Sequence, residues 1–381
     1  MATLRPVPVP AGPSALSVLP TVADALDGAV AMLPVPADDD AQTRLLSTSL
    51  RVGEAIDDDV AVVVSTSGTT GVPKGAMLTA AALSASANAT HSRLGGPGQW
   101  LLALPAHHVA GLQVLVRSVI AGRDPVALSA RFDAADLPAA VAAMKPGRRY
   151  ASLVAAQLDK ALAHPAAASA LAELDAILIG GGPTPARIAE RAAAAGVSVV
   201  RTYGMSETAG GCVYDGVPLE GVRIRVDHDG RVALGGATLA KGYRNPPEVD
   251  PFVEPGWFLT DDVGALDNSG TLRVLGRTDD AISTGGLTVF PQLVENALGS
   301  HPRVADCAVF GVPDDRFGQR VVAAVVAATG YTAPTLDELR IHVKTLLDPT
   351  AAPRELHVVD DLPRRGIGKL DRRKLVARYS D

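Results

Sequence analysis

Val60-Ala61-Val62-Val63-Val64-Ser65-Thr66-Ser67-Gly68-Thr69-Thr70-Gly71-Val72-Pro73-Lys74-Gly75 is the stretch that organises this 381-residue chain. Its first five residues are an apolar run with the pattern of a buried strand. A helical pattern begins at Thr79. Between the two, residues 65–75 hold five hydroxyl side chains, three glycines and one lysine. Glycines let a backbone approach a ligand closely and turn its N–H groups inward. Hydroxyls donate to anionic oxygens, and Lys74 adds a mobile positive charge. Such a loop suits a polyphosphate. It is not a Walker loop, which needs G-x-x-x-x-G-K-[ST]; here Lys74 stands between Pro73 and Gly75. Read in isolation, the same composition also fits a flexible surface loop.

Outward from this loop, apolar runs at 60–64, 99–104, 125–128, 150–154, 175–179 and 197–202 alternate with helical patterns at 79–94, 109–120, 134–144 and 185–195. That rhythm predicts an α/β fold with a doubly wound, mainly parallel sheet and helices on both faces. Ligands of such sheets bind beyond the carboxyl ends of the strands. Residues 1–58 carry helical patterning, at 15–32 and 42–52, with proline-rich joints. After Val213 the period changes. Residues 221–235 alternate around Asp229-Gly230 and residues 257–277 around Asn268-Ser269-Gly270, which predicts an antiparallel β subdomain. From Asp280 a compact α+β pattern follows, with helices at 291–299 and 336–347, strands at 305–310, 321–327 and 355–359, and a terminal helix. The predicted division is a large domain at 1–277 and a small one at 278–381.

Composition narrows the function. Hydrophobic residues make up 47% and charged residues 20% of the chain, enough for a large core. The net charge of −6 argues against nucleic acid and anionic membrane as partners. The two cysteines, Cys212 and Cys307, show neither metal-ligand spacing nor a disulfide framework. Prolines at 6, 8, 10 and 13 break the helix that a signal peptide requires. No apolar run reaches the ~18 residues of a membrane span. Cytoplasmic residence is the expectation, and the sequence leaves a homodimer open.

Four more segments fall where strands end. Gly180-Gly181-Gly182 could admit a flat ring against the backbone, or simply make a tight turn. In Tyr203-Gly204-Met205-Ser206-Glu207-Thr208, Tyr203 could stack on a base and Glu207 could ligate Mg²⁺, or Glu207 could be a solvated turn carboxylate. In Thr260-Asp261-Asp262-Val263-Gly264 a carboxylate could accept from a ribose diol, or cap its own turn. Arg364-Arg365-Gly366-Ile367-Gly368-Lys369 is a basic glycine-bearing loop, or a mobile tail.

In this order the five segments resemble the adenylate-forming superfamily of acyl-CoA synthetases, luciferases and peptide-synthetase adenylation domains. Residues 65–75 are similar to its phosphate loop. Residues 203–208 are similar to its Tyr-Gly-x-[ST]-Glu-Thr core. Residues 260–264 are similar to its Thr-Gly-Asp-x-Gly, with Asp261 in place of glycine. Residues 276–280 resemble its inter-domain hinge, and Gly368-Lys369 its catalytic lysine. Leu104-Pro105-Ala106-His107-His108-Val109-Ala110-Gly111 looks like its Pro-x-x-His-x-x-Gly segment. That neighbourhood, the short chain and the Arg-Arg-Gly-Ile-Gly-Lys tail are similar to the o-succinylbenzoate–CoA ligases of actinobacterial menaquinone synthesis. One departure stands out: only 64 residues precede Ser65, fewer than is usual in the superfamily.

The resemblance implies two half-reactions, with ATP and Mg²⁺ used to form an acyl-adenylate and coenzyme A then receiving the acyl group. It implies that Ser65, Thr66, Ser67, Gly68, Thr69, Thr70, Gly71 and Lys74 hold phosphates. Glu207 would ligate the metal; Gly181, Gly182, Tyr203, Gly204 and Ser206 would line the nucleotide site; Asp262 and Arg277 would fix the ribose. Lys369 would bridge the attacking carboxylate and the α-phosphate from a mobile C-terminal domain that turns at Asp279. For the acid, Arg117 shares a helix face with Gln113 and suits a second carboxylate, or it snorkels on a wet face. His108 would shape an aromatic pocket, or be an ordinary core histidine. Another aryl or fatty acid, or a non-catalytic nucleotide-binding protein, remain as alternatives.

Overall fold

The computed structural model describes residues 2–66, 72–365 and 369–380, the side chains of Arg365 and Lys369 excepted. At its centre is a seven-stranded sheet. The strands Val199–Met205, Ala176–Gly180, Arg149–Val154, Gln99–Leu102 and Val126–Ala127 lie side by side in parallel. Gly210–Tyr214 and Val217–Pro218 extend it antiparallel.

Strand side chains alternate between faces, and here both faces are buried. Trp100, Leu102, Tyr150, Ala176 and Leu178 join a core on one side, with helices Ala80–Arg93 and Val109–Ala121. Leu101, Ala151, Leu153, Ile177 and Ile179 join the core on the other, with helices Leu137–Ala142, Ala155–Leu162, Pro165–Ala172 and Ala186–Ala194. The continuous apolar runs in the sequence follow from this double burial.

The strand Val60–Thr66 does not belong to that sheet. It lies in a second one, in the order Ala55–Ile56, Ala2–Val9, Ala31–Pro36, Val60–Thr66, Lys74–Thr79. Two expectations are corrected here. The Ser/Thr/Gly stretch does not pass directly from strand to helix, because Lys74–Thr79 pairs antiparallel with Val60–Thr66 before the helix begins. The first 58 residues carry the helices Leu19–Leu26 and Asp40–Ser49 within the patterns read at 15–32 and 42–52, and also hold strands at Ala2–Val9 and Ala31–Pro36 that the sequence reading did not name.

The prolines of these strands are placed where the ladder does not use them. Leu4 exchanges hydrogen bonds with residues 53 and 54, on the side away from Ala31–Pro36. Pro6 and Pro8 share its parity, so their missing N–H groups face the outer edge. Val9 and Ala37 bond across the inner side, which turns Pro34 and Pro36 toward Val60–Thr66. There the ladder is the single pair Met32↔Val62.

Val222–Val226, Arg231–Gly236, Trp257–Leu266 and Leu272–Arg277 form the expected antiparallel sheet. Beyond Arg277, Ile282–Thr284, Leu287–Val289, Val304–Asp314, Gly318–Ala327 and Glu355–Val358 make a further sheet. It is packed by helices Pro291–Gly299, Leu336–Leu346 and Arg372–Tyr379. The buried apolar clusters of the described residues lie wholly before Arg277 or wholly after it.

Candidate active site

Lys74, Glu207 and Tyr243 come together although they are far apart in sequence. Lys74 pairs with Thr66 across the hairpin, and its Nζ lies 4.9 Å from the centroid of the Tyr243 ring. The Tyr243 hydroxyl donates to Glu207 Oε1 at 2.6 Å. Burial, and then the Glu207 charge, push the Tyr243 phenol well above its ordinary value. Residues 241–244 clamp the hairpin through backbone bonds, Met77 N to Gly242 O, Lys241 N to Met77 O and Arg244 N to Gly75 O, while Ala240 N bonds Glu207 O. Asn245 closes the arrangement, accepting from Gly75 N at 3.2 Å and donating to Pro73 O at 2.6 Å. The Thr66 hydroxyl at the mouth of the loop is buried without a partner among the described residues. Sequence reasoning missed Tyr243 and Asn245. Their only local signal is an aromatic and an amide in the Lys241-Gly242-Tyr243-Arg244-Asn245-Pro246 segment.

Glu207 sits in the single 3₁₀ turn Ser206–Thr208, 7% exposed. Gly204, just before it, is fixed by crowding: a Cβ there would meet Gly210 O at 2.1 Å. Tyr203, on the same strand, donates its hydroxyl to Asp262 Oδ2 at 2.6 Å. Asp262 is 8% exposed, and its Oδ1 lies 3.6 Å from Arg277. Burial raises the Asp262 carboxyl, while the Tyr203 bond and Arg277 pull it down; burial also drives the Tyr203 phenol far up. Arg277 in turn holds Asp279 through two bonds of 2.8 and 2.9 Å. Tyr203, Asp262, Arg277 and Asp279 are therefore one chain of contacts. Gly181 and Gly182 lie exposed at the end of the neighbouring parallel strand, and a Cβ on Gly182 would meet nothing within 4 Å.

On the other flank, His108 is the exposed N-cap residue of the helix Val109–Ala121, its ring 4.4 Å from that of His107. Gly111 lets the helix start against the preceding loop, since a Cβ would strike Pro105 O at 2.4 Å. Gln113 and Arg117 are buried on the inner side of this helix, at 0% and 3% exposure, so the snorkelling reading of Arg117 is set aside. Ser67, Gly68, Thr69, Thr70 and Gly71 lie outside the described residues, as does the side chain of Lys369. The backbone of Lys369–Leu370 pairs with Arg364–Arg365. No helix of the described residues is long and apolar enough to cross a membrane.

The model of the AMP-binding enzyme family matches residues 14–243, and that of the AMP-binding enzyme C-terminal domain matches residues 293–369. The chain is 65% identical to a probable 2-succinylbenzoate–CoA ligase of Mycobacterium tuberculosis, over 99% of both chains. It is 34% identical to a 2-succinylbenzoate–CoA ligase of a Geobacillus species, over 84% of this chain and 69% of that one. Among solved structures it is similar to the o-succinylbenzoate CoA synthetase of Bacillus subtilis in complex with its acyl-adenylate intermediate. That match has a TM-score of 0.82 and 27% identity, covering 98% of this chain and 88% of the other.

Proposed function

The chain belongs to the AMP-binding enzyme family, and from that premise we propose that it is an ATP-dependent ligase joining o-succinylbenzoate to coenzyme A. The identity along nearly the whole chain to the mycobacterial relative supports the acid. The observation that carries the chemistry is the convergence of Lys74, Tyr243 and Glu207 beside the phosphate hairpin.

In the first half-reaction a carboxylate oxygen attacks the α-phosphorus of ATP. The bond to pyrophosphate breaks and an acyl-adenylate forms. In the second, the coenzyme A sulfur attacks the acyl carbon, its thiol proton leaves, and the bond to AMP breaks. Neither step needs a protein nucleophile; the protein orients two anions and offsets their repulsion. Lys74 and the hairpin tip hold the β- and γ-phosphates. Glu207 offers a hard carboxylate oxygen with one side braced by Tyr243, which fits Mg²⁺ shared with substrate phosphates. The ion supplies charge neutralisation there when bound. Asp262 accepts from the ribose hydroxyls while Tyr203 and Arg277 hold its orientation. Gly181, Gly182, Gly204 and Ser206 line the base side, and His108 borders the acid.

Lys369 brings its ammonium to the attacking carboxylate and the α-phosphate from the domain at 278–381, which turns about Asp279. The experiment is a reaction of the chain with ATP, Mg²⁺, coenzyme A and o-succinylbenzoate, the product identified by mass. The expected product is the o-succinylbenzoyl thioester. A preference for another aryl or fatty acid would overturn the substrate, and absence of pyrophosphate release with every acid would overturn the reaction class.

A further inference from the structure

Two arginines hold consecutive carboxylates at the joint after residue 277. Arg277 binds Asp279 through its Nε and one terminal nitrogen, at 2.8 and 2.9 Å. Arg372, near the end of the chain, binds Asp280 Oδ2 at 3.0 Å, a contact between positions 92 residues apart. Arg372 makes three further bonds. Its other terminal nitrogen donates to both oxygens of Glu295 at 2.7 Å, and its Nε donates to Val309 O at 3.2 Å. Glu295 is 8% exposed and also accepts from Val309 N at 2.9 Å. Meeting two carboxylates and a carbonyl at once is what a planar guanidinium fork supplies and an ammonium does not.

Lys369 stands three residues before Arg372. Its short strand, Lys369–Leu370, pairs with Arg364–Arg365 in a ladder that is separate, among the described residues, from the five-stranded sheet beyond Arg277. A two-stranded ladder this short does not hold a position by itself. The segment is fastened next to it. Asp371 N bonds Pro363 O at 2.8 Å, and the Asp371 side chain caps the helix Arg372–Tyr379 by accepting from Lys374 N. Leu370 and Leu375 pack into the cluster around Phe310 and Val322. Arg372 then carries the same segment to Asp280, the residue that directly follows the proposed pivot.

Resting on the roles proposed above for Lys369 and for Asp279 as the pivot, we propose that Arg372, Asp280 and Glu295 are positioning residues for Lys369: they make the far side of the joint and the lysine's segment one rigid lever. Arg277 holds Asp279 from one side, and Arg372 holds Asp280 from the other. The turn is thereby confined to the backbone of Asp279, and the angle adopted there passes to Lys369 without slack. Without the clamp the small domain keeps its own apolar clusters, but its ammonium reaches the α-phosphate over a spread of positions. A misplacement of ~1 Å at a reacting centre can cost about 100-fold in rate. The second half-reaction does not use Lys369, so it does not use the lever.

The test uses Asp280→Asn, which keeps the shape and removes the charge, and Arg372→Lys, which keeps the charge and loses the fork. Acyl-adenylate formation is read as pyrophosphate release in a single turnover with ATP, Mg²⁺ and o-succinylbenzoate. Thioester formation is read from supplied o-succinylbenzoyl-adenylate and coenzyme A. Asp280→Asn should slow the first by roughly 5- to 20-fold and Arg372→Lys by roughly 10- to 100-fold, the range of charged hydrogen bonds. The second should stay within about twofold of the parent. The deciding measurement repeats both substitutions in a Lys369→Ala background. Residues that act through one another are not additive, so neither substitution should slow adenylation further there. Equal losses in the two half-reactions, or a further loss of undiminished size in the Lys369→Ala background, overturn the lever, whatever happens to thermal stability. Should Arg372→Lys fail to fold, Asp280→Asn decides alone, since its carboxylate is 33% exposed. Unchanged adenylation in Lys369→Ala itself would strike the role of Lys369 and the lever with it; a loss there with none in the two clamp variants strikes the lever alone.

Discussion

Two buried charges, Asp262 and Arg117, are treated in opposite ways by the same domain. Asp262 is provided for: one oxygen accepts from Tyr203, the other faces Arg277, and Arg277 is braced by Asp279. Arg117 has an aromatic platform and a neutral histidine for neighbours, and an Nε that bonds nothing. The flank of Asp262, proposed above for the nucleotide, completes its own electrostatics. The surroundings of Arg117 are left incomplete among the described residues. A braced buried charge keeps its hydrogen bonds, whereas an unbraced one costs stability.

The largest effect expected tests where the remaining positive charge comes from. If neither flank supplies the ammonium for adenylation, Lys369→Ala should slow acyl-adenylate formation by about 10²- to 10³-fold. Thioester formation from supplied adenylate should be nearly unaffected. Pyrophosphate release and thioester yield measured separately check this, and equal losses would break the division of labour. Next, Asp262→Ala should lower kcat/KM for ATP by roughly 100-fold. It should also cost about 1–3 kcal/mol of stability in a denaturant titration, because the Tyr203 hydroxyl is left unpaired. A loss of binding with no loss of stability would mean that Asp262 is not braced in the way described.

Acid titration separates the flanks further. His91 is buried as the neutral form at about 4 against 6.5 when free, so the unfolded chain binds the proton first as pH falls. Stability from this group is complete above pH 6.5, is lost between 6.5 and about 4, and changes no further below. His91→Gln should flatten that part of the profile. The smallest effect is Tyr203→Phe, which should cost about 1 kcal/mol and raise KM for ATP less than tenfold, since Arg277 still faces the carboxylate.

The parallel sheet was legible because strands buried on both faces leave unbroken apolar runs, as at 150–154 and 175–179. The antiparallel hairpins announced themselves through Asp229-Gly230 and Asn268-Ser269-Gly270. The N-terminal strands did not, because Pro6, Pro8, Pro34 and Pro36 read as breakers unless the direction of each missing donor is known, and that direction depends on the partner strand. Glu207, Asp262 and Arg277 stood out as charges at strand ends. Tyr243 and Asn245 could not stand out in the same way. Their importance comes from backbone pairing with a hairpin some 170 residues earlier, and nothing local encodes that contact. The burial of Arg117 was also not settled by the sequence, since a guanidinium on an otherwise apolar helix can snorkel to a wet face.

Pro6 and Pro8 have one more consequence. Past Leu4, the outer border of the five-stranded sheet pairs with no further strand among the described residues, and such borders recruit strands from other molecules. An incoming strand would find both outward donor positions of this stretch, 6 and 8, closed. Pro6 and Pro8 thereby make this border a poor template for a further strand.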